Sequence, residues 1–166
     1  MRTDTRARRG FLIGTGGACM IALSLEPVFR HMLQHQDYDL GIVQLVLAYN
    51  TGVGFSVGAG QPVWILVAVT AALSLALVIY GWRSAGEVPA MMTAGLALMA
   101  GGACANVIDR AVDGRVTDYF HTGWWPTFNL ADAFLSVGVV LVFVGALGSG
   151  QRPVMTSPRT RPETSR

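Results

Sequence analysis

Four stretches of this chain are apolar enough, and long enough at about 20 residues each, to cross a bilayer hydrocarbon core of about 30 Å as helices. They are GFLIGTGGACMIALSLEPVF at about 10–29, PVWILVAVTAALSLALVIYG at about 62–81, VPAMMTAGLALMAGGACANVI at about 88–108 and FNLADAFLSVGVVLVFVGAL at about 128–147. Only 166 residues carry all four, and 52% of them are hydrophobic against 13% charged, so little chain is left for a separate domain. In lipid every backbone polar group must be satisfied within the protein, which leaves helices as the natural spanning element here. The expected fold is an all-α membrane protein. Four transmembrane helices and a small extracytoplasmic β-like segment and loop form one domain over 1–150. The tail QRPVMTSPRTRPETSR, 151–166, is rich in Pro, Thr and Arg and is expected to be disordered.

The arginines orient the helices. All 12 basic residues are Arg; four precede the first span, Arg83 lies between the second and third, and four follow the last. By the positive-inside rule both termini and the 82–87 loop face the cytoplasm, so 31–61 and 109–127 face outward. TRARRGFLIG resembles a twin-arginine export signal, and GGAC at 16–19 partly matches a lipoprotein cleavage box. The apolar run continues past Cys19 with no A-x-A-like site, so an uncleaved first helix is expected. Cys19 and Cys104 both fall within spans, as packing residues rather than a disulfide or metal pair.

Against this background one short stretch stands out. NVIDRAVDGRVTDYF, 106–120, gathers Asp109, Asp113 and Asp118 with Arg110 and Arg115. Ionisable residues at or within spans are costly and mark a functional site by default. Three other places qualify: Glu26 with Arg30, Asn50, and Asn129 with Asp132. Glu26 and Arg30 stand four apart and can pair on one helix face, with Pro27 between them expected to disturb the helix locally. N-x-x-D occurs twice, at 106–109 and 129–132, placing an amide and a carboxyl on one helical face each time. The second copy also reads as a helix start, with Asn129 as N-cap and Asp132 in the first turn. RVTDYF alternates so that Val116, Asp118 and Phe120 share one side of a strand. Asp113, before Gly114, reads as a turn residue.

Two carboxyls held together at a poorly solvated boundary cannot both ionise cheaply, so one keeps its proton and the pair offers an acid and a base near neutrality. A structural role for the same charges stays open on this stretch alone. Other chemistry is thinly supported. Gly54–Gly58 formally matches G-x-S-x-G, but His31, His35 and His121 lie in outer loops without a triad pattern. Cys/His metal spacing, a phosphate loop and a basic nucleic-acid surface are absent, so neither a metal, a cofactor nor a nucleic-acid partner is expected.

Taken together, the boxes over about 26–142 resemble lipoprotein signal peptidase, the signal peptidase II family of intramembrane aspartic endopeptidases. LAYNTGVGFS is similar to the family's N-T-G-x-x-F box, GGACANVIDR to G-G-A-x-G-N-x-x-D-R, GRVTDYF to G-x-V-x-D-F, and PTFNLADAFLSVG to P-x-F-N-x-A-D followed by glycine. The resemblance implies a catalytic dyad of Asp118 and Asp132, substrate contacts from Asn50, Gly52, Asn106, Arg110 and Asn129, and supporting roles for Asp109, Glu26 and Arg30. It implies cleavage just before a diacylglyceryl-modified cysteine of a prolipoprotein, without metal, by a monomer among membrane lipids. The implied place is a bacterial cytoplasmic membrane, with the site near its outer face.

Departures cluster around the dyad. The family's D-Q-x-x-K appears as Glu26-Pro27-Val28-Phe29-Arg30, Ala105 precedes Asn106, Val53-Gly54 follows N-T-G, and Tyr119 follows Asp118. A non-enzymatic protein that binds lipid or lipopeptide through the same polar cluster is the rival reading, and a proton-coupled transporter a third. Orientation is testable directly. In a Cys19→Ser/Cys104→Ser background, Gln36→Cys should react with an impermeant thiol reagent from outside, and Ser157→Cys only after permeabilisation; the reverse pattern would overturn the topology.

Overall fold

The computed structural model describes residues 2–52 and 60–149. Its elements run α1 (Arg2–Leu33), β1 (Tyr38–Asp39), β2 (Gln44–Asn50), α2 (Val63–Ser84), α3 (Ala90–Asp113), β3 (Val116–His121) and α4 (Leu130–Ser149). The G-x-S-x-G match and the 151–166 tail lie outside the described residues. All four helices are long and apolar enough to cross a membrane, which makes this a multi-pass membrane protein.

Two helices outrun their sequence-expected bounds. The first begins at Arg2, well before residue 10, and continues through Pro27 without a break. Proline removes one i→i−4 hydrogen bond there. Tertiary ties just beyond it hold the helix: the Phe29 ring stacks on Tyr119 at 4.2 Å and 8°, and Arg30 bonds Thr117 on β3 and Asp113 on α3. The third helix continues past residue 108 to Asp113 and stops at Gly114, whose φ of 71° is left-handed and whose N–H closes on the Arg110 carbonyl at 2.9 Å. Glycine takes that conformation without a Cβ penalty. Asp109, Arg110 and Asp113 are therefore C-terminal helix residues, not loop residues.

Helix α3 is the centre of the bundle, packing against α1, α2 and α4. No hydrophobic drive pulls helices together inside lipid, so close association needs small residues that let backbones approach. A Cβ on Gly101 would stand 2.6 Å from both the Ala18 Cβ and the Thr15 carbonyl of α1, and one on Gly95 would stand 2.6 Å from the Gly138 carbonyl of α4. Alanines continue the seam, with Ala22, Ala105 and Ala131 buried together where α1, α3 and α4 meet. Cys19 packs against that group, and both cysteines are free thiols. Outward, Ile13, Trp64, Leu75 and Phe143 are exposed, the surface that lipid would cover.

At the end where α1 and α3 finish and α2 and α4 begin, the strands form an antiparallel sheet ordered β1-β2-β3. Strand β3, the edge packed against the helices, is buried on both sides over Val116–Tyr119, where alternation alone had suggested one buried side. Thr117 and Tyr119 face helices α1 and α3, while Asp118 faces the other way, toward α4.

Close approach at α1/α3 yields a clean comparison. Gly101→Ala should lower stability by about 1–3 kcal/mol through overpacking against backbone. Gly16→Ala, which meets nothing within 4 Å, should be neutral or slightly stabilising. Thermal unfolding in detergent reads both, and equal shifts would show that the seam tolerates a methyl group.

Candidate active site

Asp118 owes its surroundings to two features of the sheet. Strand β2 pairs with β3 as Leu45 opposite Phe120, then Ala48 opposite Asp118 and Asn50 opposite Val116, so three steps on β2 match two on β3. The extra residue is a β-bulge. Because side chains alternate with a period of two, one inserted residue transfers everything after it to the other face. Without it Asn50 would lie on the face away from Asp118; with it Asn50 shares that face and hydrogen-bonds the Asp118 carboxyl. The second feature is an isolated bridge: Phe120 N–H donates to the Phe128 carbonyl at 2.8 Å and Phe128 N–H to the Phe120 carbonyl at 3.0 Å. That bridge folds the 122–127 loop back and delivers Asn129 beside Asp118.

Asn129 is the N-cap of α4, as the spacing predicts, and the cap is reciprocal. Asp132 N–H donates to Asn129 Oδ1 at 3.0 Å, and Asn129 N–H donates to Asp132 Oδ2 at 3.2 Å. The same residue reaches across the site. Its Nδ2 donates to Asp118 Oδ1 at 3.0 Å and to Asn106 Oδ1 at 3.1 Å, and Asn106 Nδ2 donates to Asp132 Oδ1 at 2.8 Å. Two carboxyls from β3 and α4 are thus joined through two amides. Asp118 is 3% exposed, and its pKa is pushed up to about 7, first by burial and then by the neighbouring Asp132, against the opposing bonds from Asn50 and Asn129.

Next to this pair opens a cavity of about 510 Å³, walled by α2, α3, α4 and the loop before α4. Asn50, Asn106, Arg110 and Asp132 line it, and Asp118 sits buried behind them. Arg110 is 4% exposed; one guanidinium nitrogen donates to the Gly52 carbonyl, while its buried Nε has no partner among the described residues. The N-T-G turn holds that carbonyl in place, since Gly52 N–H donates to Asn50 Oδ1 at 2.9 Å. Among the described residues no three His, Cys, Asp or Glu side chains form a set able to ligate a metal.

Glu26, Arg30 and Asp109, the residues expected to support the site, form a second cluster on the far side of β3. Arg30 pairs with Glu26 at 2.6 Å, as the i,i+4 spacing predicts, but the pair is not isolated. Arg30 also bonds Asp113, donates to Thr117 Oγ1 at 3.1 Å, and lies 3.8 Å from Asp109. Asp109 in turn accepts the Thr117 N–H at 2.9 Å. Asp113 is thus an ion-pair partner and not a bystander in a turn; helix α3 runs one turn further than its apolar pattern, which brings this carboxylate to α1.

Sequence reading missed two residues, both adjacent to Asp118. Thr117 is fully buried and clamped through its backbone by α3 and through its hydroxyl by α1. Tyr119 stacks on Phe29, and its hydroxyl accepts the Leu130 N–H at 3.0 Å, satisfying a donor in the first turn of α4 that phenylalanine would leave open. Burial raises the Tyr119 pKa to about 12, so it stays a neutral phenol. The available signal was the departure itself, Tyr where the resemblance shows Phe.

Comparison with known proteins is consistent across methods. The family model for signal peptidase (SPase) II matches residues 20–147, a segment that contains every residue of the two polar clusters. The lipoprotein signal peptidase of Syntrophomonas wolfei is 38% identical over 112 residues, covering 68% of this chain and 73% of that protein. That of Mesorhizobium japonicum is 37% identical over 150 residues, covering 82% and 88%. A bacterial membrane enzyme solved by the in meso method at 2.3 Å resolution superposes with a TM-score of 0.73 over 94% of each chain, at 20% identity.

The raised pKa of Asp118 has a signed consequence. Unfolded, the carboxyl ionises near its ordinary value of 3.8, whereas folded it does so at about 7. Between those values the native state holds a proton the unfolded chain has lost, so stability falls as pH rises through that window and stays lowered above it. Asp118→Asn removes the titrating group. The variant's melting temperature relative to the parent's should therefore be higher at pH 8 than at pH 5, by thermal scans in one detergent; an unchanged difference would mean the carboxyl titrates normally.

Proposed function

The chain belongs to the signal peptidase II family and is a membrane aspartic endopeptidase for prolipoprotein signal peptides, and we propose that Asp118 and Asp132 are the dyad that does the chemistry. What supports this most is the chain of amides, Asp118–Asn129–Asn106–Asp132, at the wall of a cavity between membrane helices. A protein that only bound lipid would have no use for two carboxyls held together out of water, where like charges are costly.

In this reading the dyad shares one proton near neutral pH and titrates as a unit. The ionised carboxyl takes a proton from a water molecule, whose oxygen adds to the carbonyl carbon of the residue before the modified cysteine. The protonated carboxyl supports the developing oxyanion, and a proton passes to the departing amine as the C–N bond breaks. The water oxygen ends in the new carboxyl terminus of the signal peptide, and its proton on the cysteine amine. Such positioned acid–base transfer is worth about 10²–10⁴-fold per step. Asn50, Asn106, Asn129 and Arg110 orient the carboxyls and the scissile peptide. Gly52 contributes its carbonyl to Arg110. Glu26, Arg30 and Asp109 hold the strand that carries Asp118.

The substrate is a prolipoprotein bearing a diacylglyceryl-cysteine, and membrane lipids surround a monomeric enzyme with cytoplasmic termini. The clustered arginines favour that orientation in a bacterial cytoplasmic membrane and place the dyad near the outer face. Purified protein should cleave a diacylglycerylated prolipoprotein, whereas Asp118→Asn and Asp132→Asn should each lose at least about 10³-fold while remaining folded. Undiminished cleavage by either variant would remove it from the dyad, and substrate binding without cleavage by the parent would favour the binding protein.

A further inference from the structure

Three hydroxyls in the cavity have no part in the dyad chemistry. Thr70 and Ser74 on α2 and Ser136 on α4 line it, together with Leu73, Leu77 and Leu135. Each donates its single proton within its own helix: Thr70 to the Leu66 carbonyl at 2.7 Å, Ser74 to the Thr70 carbonyl at 2.8 Å, and Ser136 to the Asp132 carbonyl at 2.9 Å. A hydroxyl with its proton engaged presents only lone pairs. These three can therefore accept hydrogen bonds from an occupant but not donate to it. Above them the wall has the opposite character, with the Arg110 guanidinium, a group that can only donate.

Depth gives this arrangement its meaning. Thr70 lies seven residues into α2 and Ser136 six into α4, or roughly 10 Å from the helix ends at about 1.5 Å per residue. Ser74 lies about 16 Å in by the same measure. All three are at levels where water is scarce and an occupant's polar groups must find protein partners. A signal peptide can cross lipid as a helix with its own hydrogen bonds made. The stretch entering a protease dyad must be extended, because a helical peptide bond is shielded by its neighbours. An extended stretch exposes backbone N–H groups, which require acceptors. An acyl chain would have no such requirement.

We infer that the face of α2 bearing Thr70 and Ser74, with Ser136 opposite, receives the unwound residues of the signal peptide immediately before the scissile bond, their N–H groups bonded to these hydroxyl oxygens. This subsite rests on the endopeptidase reading and deepens it. It makes the three hydroxyls substrate-binding residues for backbone, not for side chains, and so independent of the signal sequence.

The test uses full-length enzyme in detergent and a diacylglycerylated prolipoprotein peptide. Thr70→Val, Ser74→Ala and Ser136→Ala should each reduce kcat/KM about three- to tenfold, the worth of one neutral hydrogen bond, with melting temperature unchanged. Thr70→Ser should restore the rate. In parallel, peptides carrying one ester in place of an amide at each of the four positions before the cut remove a single N–H. For at least one position the ester should slow the parent but not the matching hydroxyl variant, a non-additive pair. Parental rates in all three variants, or additive losses at every ester position, would overturn the subsite while leaving the endopeptidase intact. A parent that fails to cleave the all-amide peptide would sink both.

Discussion

The carboxamide of Asn129 ties three elements, α3, β3 and the start of α4, to one another. Its two N–H groups go to Asn106 on α3 and Asp118 on β3, its oxygen takes the Asp132 N–H in the first turn of α4, and its own backbone N–H returns to the Asp132 carboxyl. Both side-chain donors and the side-chain oxygen are engaged. An ordinary helix cap and the coupling of two acids are thus one set of bonds, so α4 cannot start elsewhere without dissolving the pair. The helix-start reading of N-x-x-D holds at 129–132, and the bonds that link the two acids use different atoms of the same residues.

Behind β3, the charges on α1 and α3 answer a different need. A strand with an acid on one face and no water on either must be fixed from its other face, and Thr117 is where that happens. Arg30 brings Glu26, Asp109 and Asp113 into one ion-pair group that is partly buried. Removing one charge from such a group costs more than the group's net worth, because its partners remain in a poorly solvating place. The replacement of the family's Asp and Lys by Glu26 and Arg30 lengthens one side chain and gives the other a planar fork, which suits an arginine with several partners in different directions.

Packing of the bundle explains why a cavity exists at all. Glycines and alanines on α3 bring α1 and α4 close, while α2 and α4 stand apart and leave a cleft floored by Ala103. A central helix with small residues on several faces can hold three neighbours tightly, yet it cannot make those neighbours meet each other. The cleft follows from that geometry, and the polar site opens into it.

Sequence by itself determined a good deal. Length and apolarity fixed four spans, arginine placement suggested their direction, and the spacing of Asn106, Asp118, Asn129 and Asp132 marked candidate site residues, which the structure brings together, because such residues are costly near lipid. The strand over 116–120 and the cap at Asn129 were also legible, since each is a local pattern. Tertiary structure alone decided the rest. Asn50 reaches Asp118 through a β-bulge whose presence depends on cross-strand pairing with β3. Arg30 gathers Asp113 and Thr117 from more than eighty residues away, and the Tyr119 hydroxyl caps a helix eleven residues further on. Periodicity records which face of its own element a residue occupies, but the partner across the gap is set by how those elements pack, and no local pattern encodes that.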